Sequence, residues 1–196
     1  MKYWIILILL ICFGCKNAKP KSFIGNIDIN RKLNLKIFKI VNDTAKYFSQ
    51  DTVFVLSLEK KHYKLTTKHK QDNLRQIVYY NKKTLYPEIT CYFLADIAVG
   101  SLKIYENHDK IIFENNFEKD YPFTSFMLVD KFKEEYGIDL LKQKNIYIAR
   151  KKNYEVDMYN NPDTYSYRHF EIDGKTGDIL TDTIGKIKDM KGLIIK

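Results

Sequence analysis

From Tyr3 to Phe13 every residue is apolar, and this run after Lys2 constrains the chain more than any other feature. Eleven helical residues rise only about 16 Å, roughly half the thickness of a bilayer's hydrocarbon core, so the run is too short to span it. A positive residue, a short apolar stretch and the small residue Gly14 make the pattern of a secretory signal peptide, which is cut from the mature protein. The folded part is therefore expected downstream of Gly14, in an exported compartment.

Gly14 is followed by Cys15, and residues 1–15 resemble the signal peptides of bacterial lipoproteins, which end in a small residue before an acylated cysteine. Cys12 and Phe13 stand where that family usually has Leu and a small Ala or Ser. The resemblance implies that the Cys15 thiol receives a diacylglyceryl group, with palmitate-type chains, and that Cys15 becomes the first mature residue. The residues alone also fit an ordinary signal peptide cut nearby, or an uncleaved N-terminal anchor. Each buried methylene contributes about 0.8 kcal/mol, so two or more acyl chains anchor stably where one does not. Lys16, Lys19 and Lys21 would each add on the order of 1 kcal/mol on an anionic surface. The family's sorting rule reads Asp after the Cys as inner-membrane retention; Lys16 there implies the outer membrane. The expected organisation is a signal peptide at 1–14, a lipidated Cys and flexible tether at 15–22, and a single globular domain at 23–196.

Composition supports an ordered domain. The 196 residues are 45% hydrophobic and 29% charged, with only eight Gly and four Pro, unlike a disordered or linker-rich chain. Of three Cys, Cys12 leaves with the signal and Cys15 carries lipid, so Cys91 has no partner for an internal disulfide. Within Thr90-Cys91-Tyr92-Phe93-Leu94 it reads as a buried small hydrophobe, with no neighbouring cation in sequence to activate its thiol. The net charge of +9 points away from nucleic acid once the protein is exported, and towards anionic lipids, cell-wall polymers or polysaccharides. Lys60, Lys61, Lys64, Lys68, Lys70 and Arg75 form the densest basic run. It reads either as a solvated hairpin end whose lysines shield strand edges, or as a docking patch for an anionic envelope polymer or a protein partner.

The expected fold class is α+β, an antiparallel meander packed against one or two helices. Residues 53–58, 63–67 and 75–80 read as strands, with a turn at 81–84. Ile37, Val41, Ala45 and Phe48 share a helical stripe although Leu33 to Ile37 alternate like a strand, and Ile89 to Ile104 fits a buried helix or two strands. Lys103–Tyr105 and Lys110–Phe113 read as a hairpin around the polar 106–109 turn. The clearest helix follows Pro122, capped by Thr124 and stopped at Gly137, with Leu128, Val129, Phe132 and Tyr136 as its apolar stripe. Strands at 145–150, 154–159 and 165–172 follow, with a 160–163 turn between the last two and a 173–178 turn leading into Ile179-Leu180. Residues 123–181, a helix and a meander ending in Asp-Gly-Lys-Thr-Gly-Asp-Ile-Leu, resemble the PepSY-like modules of bacterial envelope proteins. The same corner is also ordinary turn chemistry, since a hairpin with two positive-φ positions selects glycine at 174 and 177.

Catalytic signatures are missing from the sequence. His62, His69, His108 and His169 lack metal-ligand spacing and read as structural or solvated. No nucleophile elbow, Walker loop or dinucleotide glycine pattern occurs, so no cofactor is expected. Glu134 and Glu135 are helix neighbours that point about 100° apart and read as surface. The 15 tyrosines are the oddity: Tyr147, Tyr154, Tyr159, Tyr165 and Tyr167 crowd the C-terminal meander. They fit either cross-strand packing or an aromatic face for peptide or glycan. Asp43-Thr44-Ala45, Asp51-Thr52-Val53 and Asp182-Thr183-Ile184 resemble an O-glycosylation acceptor pattern of some envelope proteins. Together these features imply a non-catalytic binding or accessory lipoprotein on the periplasmic or outer face of a bacterial envelope membrane. An immunity or inhibitor protein against an envelope-acting toxin, and a cell-wall or glycan hydrolase with scattered carboxylates, are the alternatives.

Overall fold

Between Thr44 and Asn116 short alternating runs are separated by polar turns, and the chain folds there as seven consecutive antiparallel strands. A computed structural model describes residues 32–107, 109–161 and 166–186; the expected signal peptide, Cys15 and the expected tether at 15–22 lie outside them, as do His108 and Tyr165. The strands are β1 (Thr44–Ser49), β2 (Thr52–Leu58), β3 (His62–His69), β4 (Leu74–Asn81), β5 (Pro87–Leu94), β6 (Ile97–Glu106) and β7 (Lys110–Asn116), paired in sequence order. After α1 (Ser125–Tyr136) come β8 (Ile146–Arg150), β9 (Tyr154–Asn161), β10 (Ser166–Ile172) and β11 (Ile179–Lys186), a second, four-stranded meander.

The expected α+β class is corrected by this arrangement: among the described residues strands make up 54% and α1 is the one short α-helix, so the fold is mostly antiparallel β. The Ile37–Phe48 stripe does not become a second helix. Asn42 and Asp43 both take left-handed conformations, which those two residue types tolerate, and interrupt any helical run there. A 3-10 turn at Leu35–Ile37 precedes them and β1 follows; of the stripe only Ala45 is buried. The open segment at 89–104 resolves as β5 and β6, joined at Ala95, whose φ of 48° makes the turn. Its β-branched and aromatic content, Ile89, Thr90, Tyr92, Phe93, Ile97 and Val99, suits a pleated surface better than a helix.

Helix α1 forms where its caps and stripe place it. Thr124 accepts the Met127 amide at 3.3 Å, and Gly137 ends the helix with φ 66°. Leu128, Val129 and Phe132 are buried, and Phe132 and Tyr136 pack edge-on against Phe170 at 4.8 and 5.1 Å. Burying a side chain such as Phe132 contributes about 1.5–3 kcal/mol, which is why a lone helix holds its place. Leu74, Leu94, Ile97 and Val99 of the larger sheet join Ile148, Val156, Met158, Phe170 and Ile172 of the smaller one in the same core. A second cluster, Leu56, Leu65, Val78 and Tyr80, is covered by Leu33 and Phe38.

A buried ion pair ties these parts together. Glu118 accepts hydrogen bonds from Arg150 at 3.0 Å, from the Ser125 amide and hydroxyl at 3.0 and 2.7 Å, and from the Gly100 amide at 3.3 Å. Arg150 also donates to the Ala98 carbonyl at 2.6 Å and lies 4.6 Å over the Tyr121 ring. One carboxylate thus joins β6, the start of α1 and β8. At the 173–178 corner only Gly177 has positive φ. Gly174 is selected by space instead, because a Cβ there would sit 2.3 Å from the Lys152 carbonyl oxygen.

Candidate functional site

Alternation along β8 to β11 sorts the C-terminal tyrosines onto opposite faces. Tyr154 points into the core: it is fully buried and donates to the Phe123 carbonyl at 3.1 Å. Burial, countered in part by the Arg150 guanidinium, raises its hydroxyl to about 12. Tyr154 therefore belongs to the packing and is withdrawn from the candidate binding residues. Tyr165 lies outside the described residues.

Tyr147, Tyr159 and Tyr167 take the other face, away from α1. The register places Tyr147, Asp157, His169 and Thr183 in one cross-strand row, and Tyr159, Tyr167 and Gly185 in the next. Tyr147 and Tyr159 are 44% and 37% exposed, which leaves their ring faces accessible. Tyr159 and Tyr167 contact each other at 6.3 Å between ring centroids. Tyr167 lies over β11 because Gly185 leaves room; a Cβ there would meet its ring at 2.5 Å. Desolvation, then the negative charge of Asp157, raises the Tyr159 hydroxyl above its ordinary range.

Between the rings sits a hydrogen-bonded pair, with His169 Nδ1 and Asp157 Oδ1 2.7 Å apart. Glu155 and Glu171 face each other in the following row, and Asn153 donates to Glu171 at 2.7 Å. These rows contain three carboxylates and no Lys or Arg, a local reversal of the chain's basic balance; Lys151 reaches Glu155 at 3.5 Å from the hairpin. Thr183 follows His169 in the row, and no hydrogen bond joins the two among the described residues.

The basic run does not form one patch. Lys60 and Lys61 occupy the β2–β3 hairpin tip, while Lys68 and Lys70 lie at the opposite end of β3. Lys64, between them, is 3.7 Å from Glu59 and over the Tyr79 ring. Arg75 opposes Lys68 and stacks on Phe93 at 5.2 Å. His62 contacts Glu88 at 2.8 Å, and Cys91 is buried, its thiol raised chiefly by desolvation. Glu134 and Glu135 are exposed. Of the three Asp-Thr triplets, Asp182 is held by Arg168 at 2.7 and 2.8 Å, while Thr44 and Thr183 are exposed. Sequence reasoning missed the Asp157–His169 pair, since only the β9–β10 register brings those residues together.

No protein-family model, no curated protein and no solved structure matches the chain. No described helix is long and apolar enough to cross a membrane, and no described cluster of His, Cys, Asp or Glu is arranged to hold a metal ion.

Proposed function

We propose that the protein is a lipid-anchored binding protein of the bacterial cell envelope, held at the outer membrane through Cys15. It takes its ligand on the face bearing Tyr147, Tyr159 and Tyr167 and performs no chemistry on it. The observation that carries this reading is the aromatic, acidic sheet face on the side of the small meander away from its helix. Tyrosine gives a rigid apolar face and a hydroxyl, the combination that packs on a sugar ring or a peptide backbone while bonding its polar edge. Asp157 and Glu155 supply acceptors, and the His169 imidazole a ring N–H, around the rings. Three carboxylates repel an anionic polymer, so the ligand expected here is neutral or cationic, such as a cell-wall glycopeptide.

The test is calorimetric titration of the protein with soluble cell-wall glycopeptide fragments. Hot-spot tyrosines cost about 2 kcal/mol when truncated, so combined Tyr147→Ala and Tyr159→Ala should weaken binding at least tenfold. Unchanged affinity in that variant, or no heat with any fragment, contradicts the assignment.

A further inference from the structure

Four lysines project from two neighbouring hairpin tips: Lys60 and Lys61 on β2–β3, and Lys82 and Lys83 on β4–β5. All four are exposed. The hairpins are adjacent because β3 pairs with β4, with Tyr63 opposite Tyr80, and Lys82 reaches back to within 5.6 Å of the Tyr63 ring. No ion pair holds any of the four among the described residues. The nearby carboxylates are already engaged, Glu59 with Lys64 and Glu88 with His62 and Asn81; Asp43 is the carboxylate on the adjoining turn. The two tips are therefore cationic, while the β6–β7 turn at the same end of the sheet carries Glu106, paired with Lys110, and Asp109.

The position of the chain's N-terminal side gives this end its meaning. Leu33 donates its amide to the Leu85 carbonyl at 2.9 Å, and Lys32 lies 4.9 Å over the Tyr86 ring. Both partners belong to the β4–β5 hairpin, so the polypeptide that leads back to Cys15 meets the domain at the lysine-bearing tip. Residues 16–31 separate Cys15 from Lys32, a maximal contour of roughly 60 Å. Reaching round to the opposite end of the strands would consume about 26 Å more, the length of an eight-residue strand such as β3. Anchor and charge therefore favour the same orientation.

We infer that Lys60, Lys61, Lys82 and Lys83 form a docking surface for anionic phospholipid headgroups, and that it seats the domain tip-down on the membrane that holds its anchor. This rests on the anchored reading proposed above. The orientation places the β2–β3 and β4–β5 tips at the surface without using the tyrosine face. Each basic residue near an anionic surface favours the docked state about fivefold, so four act together as an orientation switch that salt weakens.

The test uses the full lipidated protein reconstituted in phosphatidylcholine vesicles with and without phosphatidylglycerol, and a quencher attached to lipid headgroups. A dye is placed at the tip through Thr84→Cys, or at the far end of β3 through Gln71→Cys. With phosphatidylglycerol the tip dye is expected to be quenched several-fold more than the far dye. The difference should fall several-fold in phosphatidylcholine alone and in the combined Lys60→Gln, Lys61→Gln, Lys82→Gln and Lys83→Gln variant, to the smaller preference set by the anchor, and the variant's circular dichroism should match the parent. Equal quenching at both sites, or a tip preference undiminished by loss of the four charges, overturns the docking surface while leaving the anchor intact. Failure of the protein to float with phosphatidylcholine vesicles at all overturns the anchored reading, and this inference with it.

Discussion

Replacing Glu118 by Ala tests whether one buried carboxylate holds the two sheets and the helix in register. The Glu118 and Arg150 side chains are 11% and 7% exposed, so solvent cannot readily compensate either charge. Removing one partner of such a pair costs about 3–5 kcal/mol, because the other charge stays buried without its counter-ion. Ser125 is fully buried, and its amide and hydroxyl lose their acceptor in the same step. Each unsatisfied group of that kind costs about 1–3 kcal/mol, although water entering the vacated space relieves part of it. Arg150→Met should be milder, since Glu118 retains three donors from Ser125 and Gly100. The double variant should fall short of the sum of the two by about 0.5–3 kcal/mol, the coupling expected for residues in one network. Urea unfolding followed by far-ultraviolet circular dichroism measures all three. A loss below about 1 kcal/mol for Glu118→Ala, typical of an exposed pair, would refute the reasoning.

Two pH predictions follow from the same kind of argument. Tyr154 ionises at about 12 in the folded protein against an ordinary 10.0, so its contribution is complete below pH 10 and is lost as pH rises towards 12. Alkaline unfolding should set in across that window, and Tyr154→Phe should remove this pH dependence at a cost of about 1 kcal/mol for the lost hydrogen bond. At the acid end, the Arg168 guanidinium lowers the Asp182 carboxyl below its ordinary 3.8. Stability from that pair is present above the ordinary value and disappears as pH falls through the lower one. Asp182→Asn should flatten the acid limb of the stability curve by a few tenths to about 1 kcal/mol, as expected for a half-exposed pair; an unchanged limb contradicts the assignment.

What the sequence revealed depended on how local each cause was. Helix α1 was legible because Thr124, the Leu128-Val129-Phe132 stripe and Gly137 act within four turns. Most strands after Thr52 were legible from alternation and from their polar turns. The helical stripe at 37–48 misled because periodicity counts apolar residues without asking what breaks the backbone, and Asn42 and Asp43 do so. Residues 89–104 stayed ambiguous because β5 buries residues on both faces, which hides its period of two. The tyrosine cluster was visible as composition, but its division into a core residue, Tyr154, and a surface set, Tyr147, Tyr159 and Tyr167, needed strand phase. Asp157 and His169 lie 12 residues apart and Glu118 and Arg150 lie 32 apart, so pairing and packing, not spacing, bring them together.

Attachment at Cys15 is the premise beneath the proposed location and the proposed orientation alike. Intact-mass spectrometry of the protein extracted from its own membranes reads it in one step. The expected chain begins at Cys15 and carries the added mass of a diacylglyceryl group and its acyl chains. A mass equal to the uncut 196-residue chain, or to a shortened chain without lipid, would contradict it.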